Sequence, residues 1–349
     1  MSRIITVMET SREIFMSRVT NDPFDKMPIF MRDLTIGLDV IDVKTTDLFL
    51  PEYDPKMSAD AVVAFQKKTE QDAVVGCIHS AAFIIEQFGG VMKYTDYGIP
   101  NVVKHPFEKV IDVKDYGAVP KGMSLKAMES YLMVRKRLPD VAVVANMTGP
   151  LTKASVLTGV ERLAIALETE MDYVEDVIAK ALENTYYLLE DMDSDGSIDC
   201  VWLAAATDNP DLFGYDVYSK VVLEKLKKMV AKIHKIGYPV VFHPHGVFKK
   251  ENDMLAHTIA TGIDGFQFAE DNDPSEICEV IGKKCSVLGG TNVVPTLLTG
   301  SKDEIRSETR RYIDACRGTS YVFMSSCSLH RASPIENIMT MIDEAKRYA

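Results

Sequence analysis

Two histidines and one cysteine are the side chains of this sequence best suited to chemistry. An apolar run at residues 238–242 ends at His243 and His245, and a second run at residues 320–325 ends just before Cys327. Because a buried strand delivers its last side chains to a fixed place at the rim of a sheet, both imidazoles can face one metal ion or one substrate. With Cys327 they supply two nitrogens and one sulfur and leave a fourth position open. That is the stoichiometry of catalytic rather than structural zinc.

Other polar side chains follow the predicted strands and extend this set. Glu270 and Asp271 come after the run that follows the histidine strand, where either can be a metal ligand, a partner that orients an imidazole, or a base. An ordinary helix N-cap by Asp271 or Asp273 has equal weight. We assign Glu270 and Asp271 to catalysis. Three further strand-end residues are assigned to cofactor binding: Asn146, Asp208 and Asn292.

Each assignment has an alternative in packing. One histidine of the pair can satisfy a backbone carbonyl while the other is an exposed turn residue. A lone buried cysteine is usually a small apolar side chain, so only the two histidines make Cys327 a ligand candidate. His79 follows a predicted strand directly and is expected near the pocket. The remaining cysteines lack a second ligand at suitable spacing and are assigned to packing: Cys77, Cys200, Cys278, Cys285 and Cys316.

The elements that must position these residues are short apolar runs separated by helical patterns. Runs that are mostly apolar rather than alternating are typical of parallel strands, with helices on one side and a packed barrel interior on the other. Repeated strand and helix units of this number favour a (β/α)8 barrel over an open doubly wound sheet. The eight runs lie at residues 27–31, 73–77, 141–145, 199–204, 239–242, 265–268, 286–288 and 321–324.

The segments between these runs complete the predicted fold. Residues 215–236 place apolar side chains at helical spacing, and residues 301–315 begin with a sequence close to a capping box. Glycines and prolines break any helix in residues 88–123, so an ordered insertion or lid is expected there. We therefore predict an α/β fold, a single (β/α)8 TIM-barrel domain over residues 1–349. It has an N-terminal extension and an insertion after the second strand.

The composition limits the partners and the compartment. Of 349 residues, 46% are hydrophobic and 26% are charged, which is enough to bury a sizeable core. The formal net charge of −12 argues against nucleic acid and anionic membranes as partners. No run approaches the roughly 20 apolar residues of a membrane span. Because there is also no signal-peptide core and no disulfide spacing, we expect a cytoplasmic protein in a reducing compartment.

Several short motifs follow one another along the chain, at residues 28–32, 88–90, 98–100, 149–152, 266–270, 273–274, 288–292, 324–327 and 333–337. Their order and spacing resemble the uroporphyrinogen decarboxylase superfamily over nearly the whole chain. The resemblance implies the (β/α)8 fold and one of two activities, cofactor-free porphyrinogen decarboxylation or zinc-dependent methyl transfer with corrinoid proteins. Arg32 matches one arginine with which the decarboxylases hold a polycarboxylate. Their second arginine and their aspartate after the second strand are missing, so the methyltransferase branch is favoured.

Within that branch, the enzymes that serve thiols place His-x-Cys-Gly after the fifth strand and a cysteine after the eighth. His243, His245 and Cys327 hold the corresponding positions, with histidine in place of one cysteine. Two imidazoles and one thiolate leave more positive charge on zinc than two thiolates do. The resulting harder site suits oxygen ligation.

The resemblance and this substitution together lead to a functional expectation. We expect the protein to take a methyl group from an O-methyl substrate, such as a methoxyaromatic compound, and pass it to the Co(I) of a separate corrinoid protein. The alternative is methyl transfer from methylcobamide to a thiol such as coenzyme M. A catalytically silent barrel that binds a corrinoid or tetrapyrrole is a third hypothesis, and a porphyrinogen decarboxylase is a fourth. The expected cofactors are zinc and a corrinoid carried by a partner protein. The expected partners are that corrinoid protein and a small methylated substrate, with a homodimer left open.

Overall fold

A curled parallel sheet forms the centre of the computed structural model, which describes residues 9–22, 26–109, 112–248 and 253–349. All its strands except β2 and β3 belong to this sheet, in the order β1-β4-β5-β6-β7-β8-β9. These seven strands correspond to seven of the eight predicted runs. In chain order, the strands of the described part are β1 (Ala73–Val75), β2 (Val91–Lys93), β3 (Asn101–Lys104), β4 (Ala142–Thr148), β5 (Cys200–Ala205), β6 (Val240–Pro244), β7 (Gly265–Gln267), β8 (Ser286–Thr291) and β9 (Tyr321–Ser325).

The remaining predicted run, residues 27–31, closes this sheet without forming a regular strand. Ile29 bridges in parallel to Phe323 of β9, and Phe30 bridges in parallel to Ala73 of β1. The Phe30 N–H donates to the Phe323 carbonyl at 3.0 Å. The proline just before this pair has no N–H to donate, which keeps the contact short. The predicted eight-part α/β barrel is thus confirmed, with two bridging residues in the place of its first strand.

Helices connect successive strands and cover the outside of the barrel. Ser301 starts the penultimate helix with the predicted capping box: its hydroxyl accepts from the Glu304 N–H, and the Glu304 carboxylate accepts from the Ser301 N–H. Among the described residues, no helix combines the length and apolar character that crossing a membrane requires. The helices are α1 (Ser11–Val19), α2 (Ile36–Val40), α3 (Thr45–Phe49), α4 (Pro55–Thr69), α5 (Ala82–Gln87), α6 (Met123–Arg137), α7 (Pro150–Thr158), α8 (Val160–Thr169), α9 (Met171–Ser194), α10 (Pro210–Val217), α11 (Leu223–Ile236), α12 (Met254–Ile259), α13 (Pro274–Ile281), α14 (Lys302–Ala315) and α15 (Ile335–Tyr348).

The helix predicted over residues 215–236 is divided in the structure. A π-helical segment, Tyr218–Val222, lies between α10 and α11. Gly214 has a φ of 83°, outside the helical region, so α10 is itself interrupted there. The helical spacing of apolar residues is present as predicted, but these local irregularities are not visible in that spacing.

The inside of the barrel is filled by side chains from alternate strand positions, as strand pleating requires. The first helix, α1, adds Phe15 and Val19 to the same buried cluster and so closes the amino-terminal end of the barrel. A series of aromatic contacts runs from α1 towards the carboxyl end of the barrel. Phe15 contacts Phe30 at 5.7 Å between ring centroids, Phe30 contacts Trp202 at 5.5 Å, and Trp202 contacts His243 at 5.5 Å. Trp202 therefore packs against the His243 ring from the side of the barrel interior.

The predicted insertion, residues 88–123, contains an antiparallel hairpin of β2 and β3. The hairpin leads back to α6, and its tip lies against the segment that follows β9. There the Arg331 guanidinium stacks over the Tyr97 ring at 5.1 Å, and the Gly98 carbonyl accepts from the Thr45 hydroxyl at 3.0 Å. Ordered contacts thus hold the insertion at the rim of the barrel.

The carboxylate of Asp208 joins the segment after β5 to the start of α7. Asp208 is fully buried, and its oxygens accept from the Leu151 N–H at 2.9 Å, the Thr152 N–H at 2.8 Å and the Thr152 hydroxyl at 2.5 Å. Burial raises the pKa of this carboxyl, and the hydrogen bonds offset that effect only in part. The unpaired N–H groups of a helix start favour such an acceptor.

Replacing Asp208 by alanine is expected to lower the free energy of unfolding by about 2–3 kcal/mol, because it leaves buried donors of α7 without an acceptor. Asp216→Ala is the control. In the part of the chain that the structure describes, this exposed residue of α10 forms an ion pair with Lys220, and its loss is expected to change stability by less than about 0.5 kcal/mol. Urea denaturation measures both variants. Equal, small changes would contradict the anchoring role of Asp208.

Candidate metal centre

His243, His245 and Cys327 come together at the carboxyl end of the barrel. His243 lies in β6 and His245 follows two residues later, so both side chains leave the chain on the same side. The Cys327 Sγ lies 3.5 Å from the His243 Nε2 and 3.7 Å from the His245 Nε2. All three donor atoms lie within 4.8 Å of one another. The three residues predicted as ligands therefore converge, as a metal site requires.

The spacing of these donor atoms fits one zinc ion. Zinc bonds are about 2.05 Å to nitrogen and about 2.3 Å to sulfur, so nitrogen and sulfur ligands of one tetrahedral ion lie about 3.6 Å apart. The two nitrogen–sulfur distances, 3.5 and 3.7 Å, lie on either side of that value. Three protein donors leave one position for an atom of the substrate.

The segment that carries Cys327 is held by the neighbouring strands. The Ser325 hydroxyl donates to the Cys327 carbonyl at 2.6 Å. The Ser326 N–H donates to the Thr291 carbonyl of β8 at 3.0 Å, and the Ser326 carbonyl accepts from the Gln267 amide of β7 at 2.7 Å. The position of the sulfur is thus determined by three adjacent strands.

The electrostatics of the cluster favour a thiolate at Cys327. Burial raises the pKa of its thiol, but the charge of His243, the hydrogen bonds from both imidazoles and the charge of Arg32 outweigh burial, and the pKa lies well below its ordinary value. Burial lowers the pKa of His243, whereas the hydrogen bond with Cys327 raises that of His245. The thiolate is the form of cysteine that binds metals.

The two residues predicted to be catalytic have different environments. Glu270 follows β7, and its Oε2 atom is buried with no hydrogen-bond partner in the described part of the chain. After the hydrogen bond and the charge of Cys327, the charge of Glu270 also raises the pKa of His245. Asp271 is exposed. The helix N-cap is Asp273, which accepts from two N–H groups of α13.

Arg32 and Asn146 lie together beside the cluster. Arg32 is buried, and its Nε donates to the Asn146 Oδ1 at 2.9 Å while Nη1 donates to the Ser328 hydroxyl at 3.0 Å. The guanidinium lies 5.8 Å from the centre of the Trp202 ring. The Asn146 Nδ2 is buried and has no acceptor among the described residues. A buried amide donor without an acceptor is costly, so a ligand atom that accepts from it would stabilise the site.

The other two residues assigned to cofactor binding contact protein groups. Asp208 anchors α7 as described above. Asn292 donates from Nδ2 to the Glu308 carboxylate at 2.9 Å, and its Oδ1 accepts from the Tyr312 hydroxyl at 3.3 Å. A role of Asn146, Asp208 or Asn292 in cofactor binding therefore stays a prediction.

A basic cluster of Arg32, His79 and Lys153 was not recognised from the sequence. Burial and then the charges of Arg32 and Lys153 lower the pKa of His79 to about 3. Lys153 is buried in α7 and donates to the Thr185 hydroxyl of α9, and burial lowers its pKa to about 7. Across the described ranges, neither Arg32 nor Lys153 pairs with a carboxylate.

The sequence contained only a weak signal for this cluster. Lys153 is the one charged residue of α7, whose sequence is Pro-Leu-Thr-Lys-Ala-Ser-Val-Leu-Thr, and no acidic residue lies within one helical turn of it. A lysine at such a position usually extends to solvent. Its burial depends on the packing of α7 against α9, which the sequence alone did not reveal.

Comparisons with known proteins agree with this architecture. Residues 10–348 match the profile of the uroporphyrinogen decarboxylase (URO-D) family. The methylcobamide:CoM methyltransferase MtaA of Methanosarcina barkeri is 26% identical over 256 residues, which are 71% of this chain and 72% of that protein. The methylated-thiol–coenzyme M methyltransferase of Methanosarcina mazei is 25% identical over 215 residues, 61% of this chain and 55% of that protein.

One solved structure shares the fold over almost the full length. A methyltransferase from Methanosarcina mazei superposes with a TM-score of 0.85 at 22% sequence identity, covering 98% of this chain and 99% of that one. The family profile likewise spans nearly the whole chain, and the relatives found by sequence include methyltransferases. The chain therefore belongs to the uroporphyrinogen decarboxylase (URO-D) family, in the methyltransferase branch that its motif order predicts.

Proposed function

We propose that this methyltransferase is zinc-dependent and moves a methyl group between the cobalt of a corrinoid protein and the sulfur of a small anionic thiol of the coenzyme M type. The observation that carries the proposal is the convergence of His243, His245 and Cys327, with donor spacing that fits one zinc ion and a fourth position left for substrate. The comparisons support it, because the names of the relatives specify methylcobamide, coenzyme M and a methylated thiol.

These names favour the thiol alternative over the O-methyl donor that the sequence analysis preferred. That preference depended on the ligand set, in which two imidazoles and one thiolate leave zinc more positive than two thiolates would. The same net positive charge also favours binding of a thiol as its anion, so the ligand set is compatible with a thiol. An O-methyl donor is the second candidate, because a positive site also stabilises the oxygen anion that leaves on demethylation.

The reaction with a thiol assigns a role to each group at the barrel mouth. A zinc ion held by His243, His245 and Cys327 would supply Lewis acidity, which lowers the pKa of a thiol and favours its nucleophilic thiolate form. The sulfur forms a bond to the methyl carbon, the cobalt–carbon bond breaks with its electron pair left on cobalt, and the thiol proton leaves. Glu270, whose buried Oε2 has no other partner within the described residues, is proposed to accept that proton. Trp202 packs against His243 and keeps this imidazole oriented.

The basic cluster supports an anionic substrate. A buried cation without a carboxylate destabilises the fold, and an anion bound beside it would relieve that cost. Arg32, Lys153 and the unsatisfied Asn146 amide together offer donors to a carboxylate or sulfonate near the metal site. A molecule with a thiol at one end and an anionic group at the other would bind the metal site through its sulfur and the basic cluster through its anionic group.

The metal content of the protein tests the three assigned ligands. The purified protein is expected to hold about one zinc per chain, and His243→Ala or Cys327→Ala to lose it, because removing one of three donors weakens binding strongly. His234→Ala is the matched control, since His234 is exposed and pairs with Asp264 at 2.7 Å. Elemental analysis after dialysis measures the zinc. Full metal content in either ligand variant would show that the assigned ligands are wrong.

The second prediction concerns the substrate. With methylcob(III)alamin as the methyl donor, the zinc-loaded protein is expected to methylate 2-mercaptoethanesulfonate and release cob(I)alamin, because the thiol binds the open metal position as its anion. Anaerobic absorbance spectra follow the change in the cobalt. A parallel reaction supplies cob(I)alamin and 2-methoxyphenol. Turnover in that reaction, without turnover of the thiol, would favour the O-methyl candidate instead.

The third prediction concerns Lys153. Lys153→Met is expected to raise the KM for 2-mercaptoethanesulfonate about tenfold, which corresponds to the loss of about 1.4 kcal/mol of binding free energy. The KM for 2-mercaptoethanol, which lacks the anion, should stay unchanged. The control is Lys180→Met in α9, where the lysine pairs with Glu183 at 3.1 Å. Initial rates with both thiols decide the matter, since equal losses for the two would point to a purely structural role for Lys153.

A further inference from the structure

Two cysteines assigned to packing from the sequence form a close pair of sulfurs away from the metal centre. Cys278 lies in α13, and Cys316 follows α14 directly. Their Sγ atoms are 3.0 Å apart, although the residues are separated by 38 positions in the chain. A disulfide has a sulfur–sulfur distance of about 2.05 Å, so the two atoms need to approach by only about 1 Å to form the bond.

The surroundings of the two sulfurs also favour exchange chemistry. Both residues are buried, at 7% exposure for Cys278 and 1% for Cys316, and the thiols share a hydrogen bond. That bond lowers the pKa of Cys278 and raises the pKa of Cys316. One thiol of the pair therefore ionises more readily, and a thiolate is the species that attacks a disulfide.

A cavity leads to the pair from the amino-terminal end of the barrel. It has a volume of about 620 Å³, and Cys316 is part of its lining together with Lys283, Arg317 and Tyr321. The volume is sufficient for a small molecule, and the basic side chains favour an anionic one. A low-molecular-weight disulfide bound in this cavity would lie beside Cys316, the member of the pair that lines it.

We infer that Cys278 and Cys316 are a dithiol site that forms an intramolecular disulfide with a low-molecular-weight disulfide as the oxidant. In the first step a thiolate of the pair attacks one sulfur of the oxidant, whose other half leaves as a thiolate. In the second step the remaining cysteine attacks the mixed disulfide and releases the second half. The protein loses two electrons and two protons, and the oxidant is reduced to two thiols.

The crosslink would join two helices that support the carboxyl end of the barrel. The helix α13 follows the segment with Glu270, and α14 carries Glu308, which holds Asn292. Closing a loop of this length restricts the unfolded chain, so the oxidised protein should unfold at a higher temperature than the reduced protein. The site is independent of zinc and of methyl transfer.

The test is incubation of the native, zinc-loaded protein with glutathione disulfide, followed by alkylation, proteolysis and mass spectrometry. We expect a peptide pair linked through Cys278 and Cys316, lighter by about 2 Da than the two free peptides. The linked pair should disappear after dithiothreitol, and the Tm should rise on oxidation and fall again on reduction.

Single variants test the assignment. Cys278→Ser and Cys316→Ser should each lose the linked peptide, whereas Cys285→Ser, which removes another buried cysteine, should keep it. Circular dichroism shows whether each variant is folded. The inference is overturned if the folded, zinc-loaded wild-type protein forms no such peptide with glutathione disulfide. It is equally overturned if Cys278 or Cys316 stops at the mixed disulfide with glutathione.

Discussion

The barrel closes through one short contact, and the cluster of His243, His245 and Cys327 depends on that contact. Ile29 and Phe30 join β9 to β1 and so complete a ring from a sheet of seven strands. Once the ring is closed, strand ends that are far apart in the sheet face one another across its mouth. Cys327, two residues beyond β9, therefore meets the histidines of β6. Arg32, two residues beyond the contact, lies near Cys327 for the same reason.

Burial determines the charge of the groups gathered there. The chain carries a net charge of −12, yet Arg32 and Lys153 are buried without a carboxylate partner in the described part of the chain. Buried cations of this kind destabilise the fold, so their presence indicates a role other than stabilisation. The imidazoles of His243 and His245 and the guanidinium of Arg32 lower the pKa of Cys327, so this residue favours the thiolate form that binds metals. The site thus combines a buried guanidinium with a cysteine that favours its thiolate form.

The two ends of the barrel are stabilised by different kinds of contact. At the amino-terminal end, α1 inserts Phe15 and Val19 into the interior, and an aromatic series connects this plug with His243. At the carboxyl end, polar groups hold the connecting segments. Asp208 caps α7, and the Ser326 backbone is fixed from β7 and β8. Near this end, the Asn146 Nδ2 and the Glu270 Oε2 are buried and have no hydrogen-bond partner among the described residues.

Local pattern was sufficient to predict the seven strands of the curled sheet, the capping box at Ser301 and the convergence of His243, His245 and Cys327. Apolar runs, caps and strand ends are properties of neighbours in the chain, and parallel strands deliver their ends to one place. Three other features became visible only in three dimensions. They are the preference for Glu270 over Asp271, the basic cluster around His79 and Lys153, and the sulfur pair of Cys278 and Cys316. Each of these depends on which way a side chain points and on distances between residues far apart in sequence. Those distances are determined by how helices pack on the closed barrel, and no local periodicity encodes them.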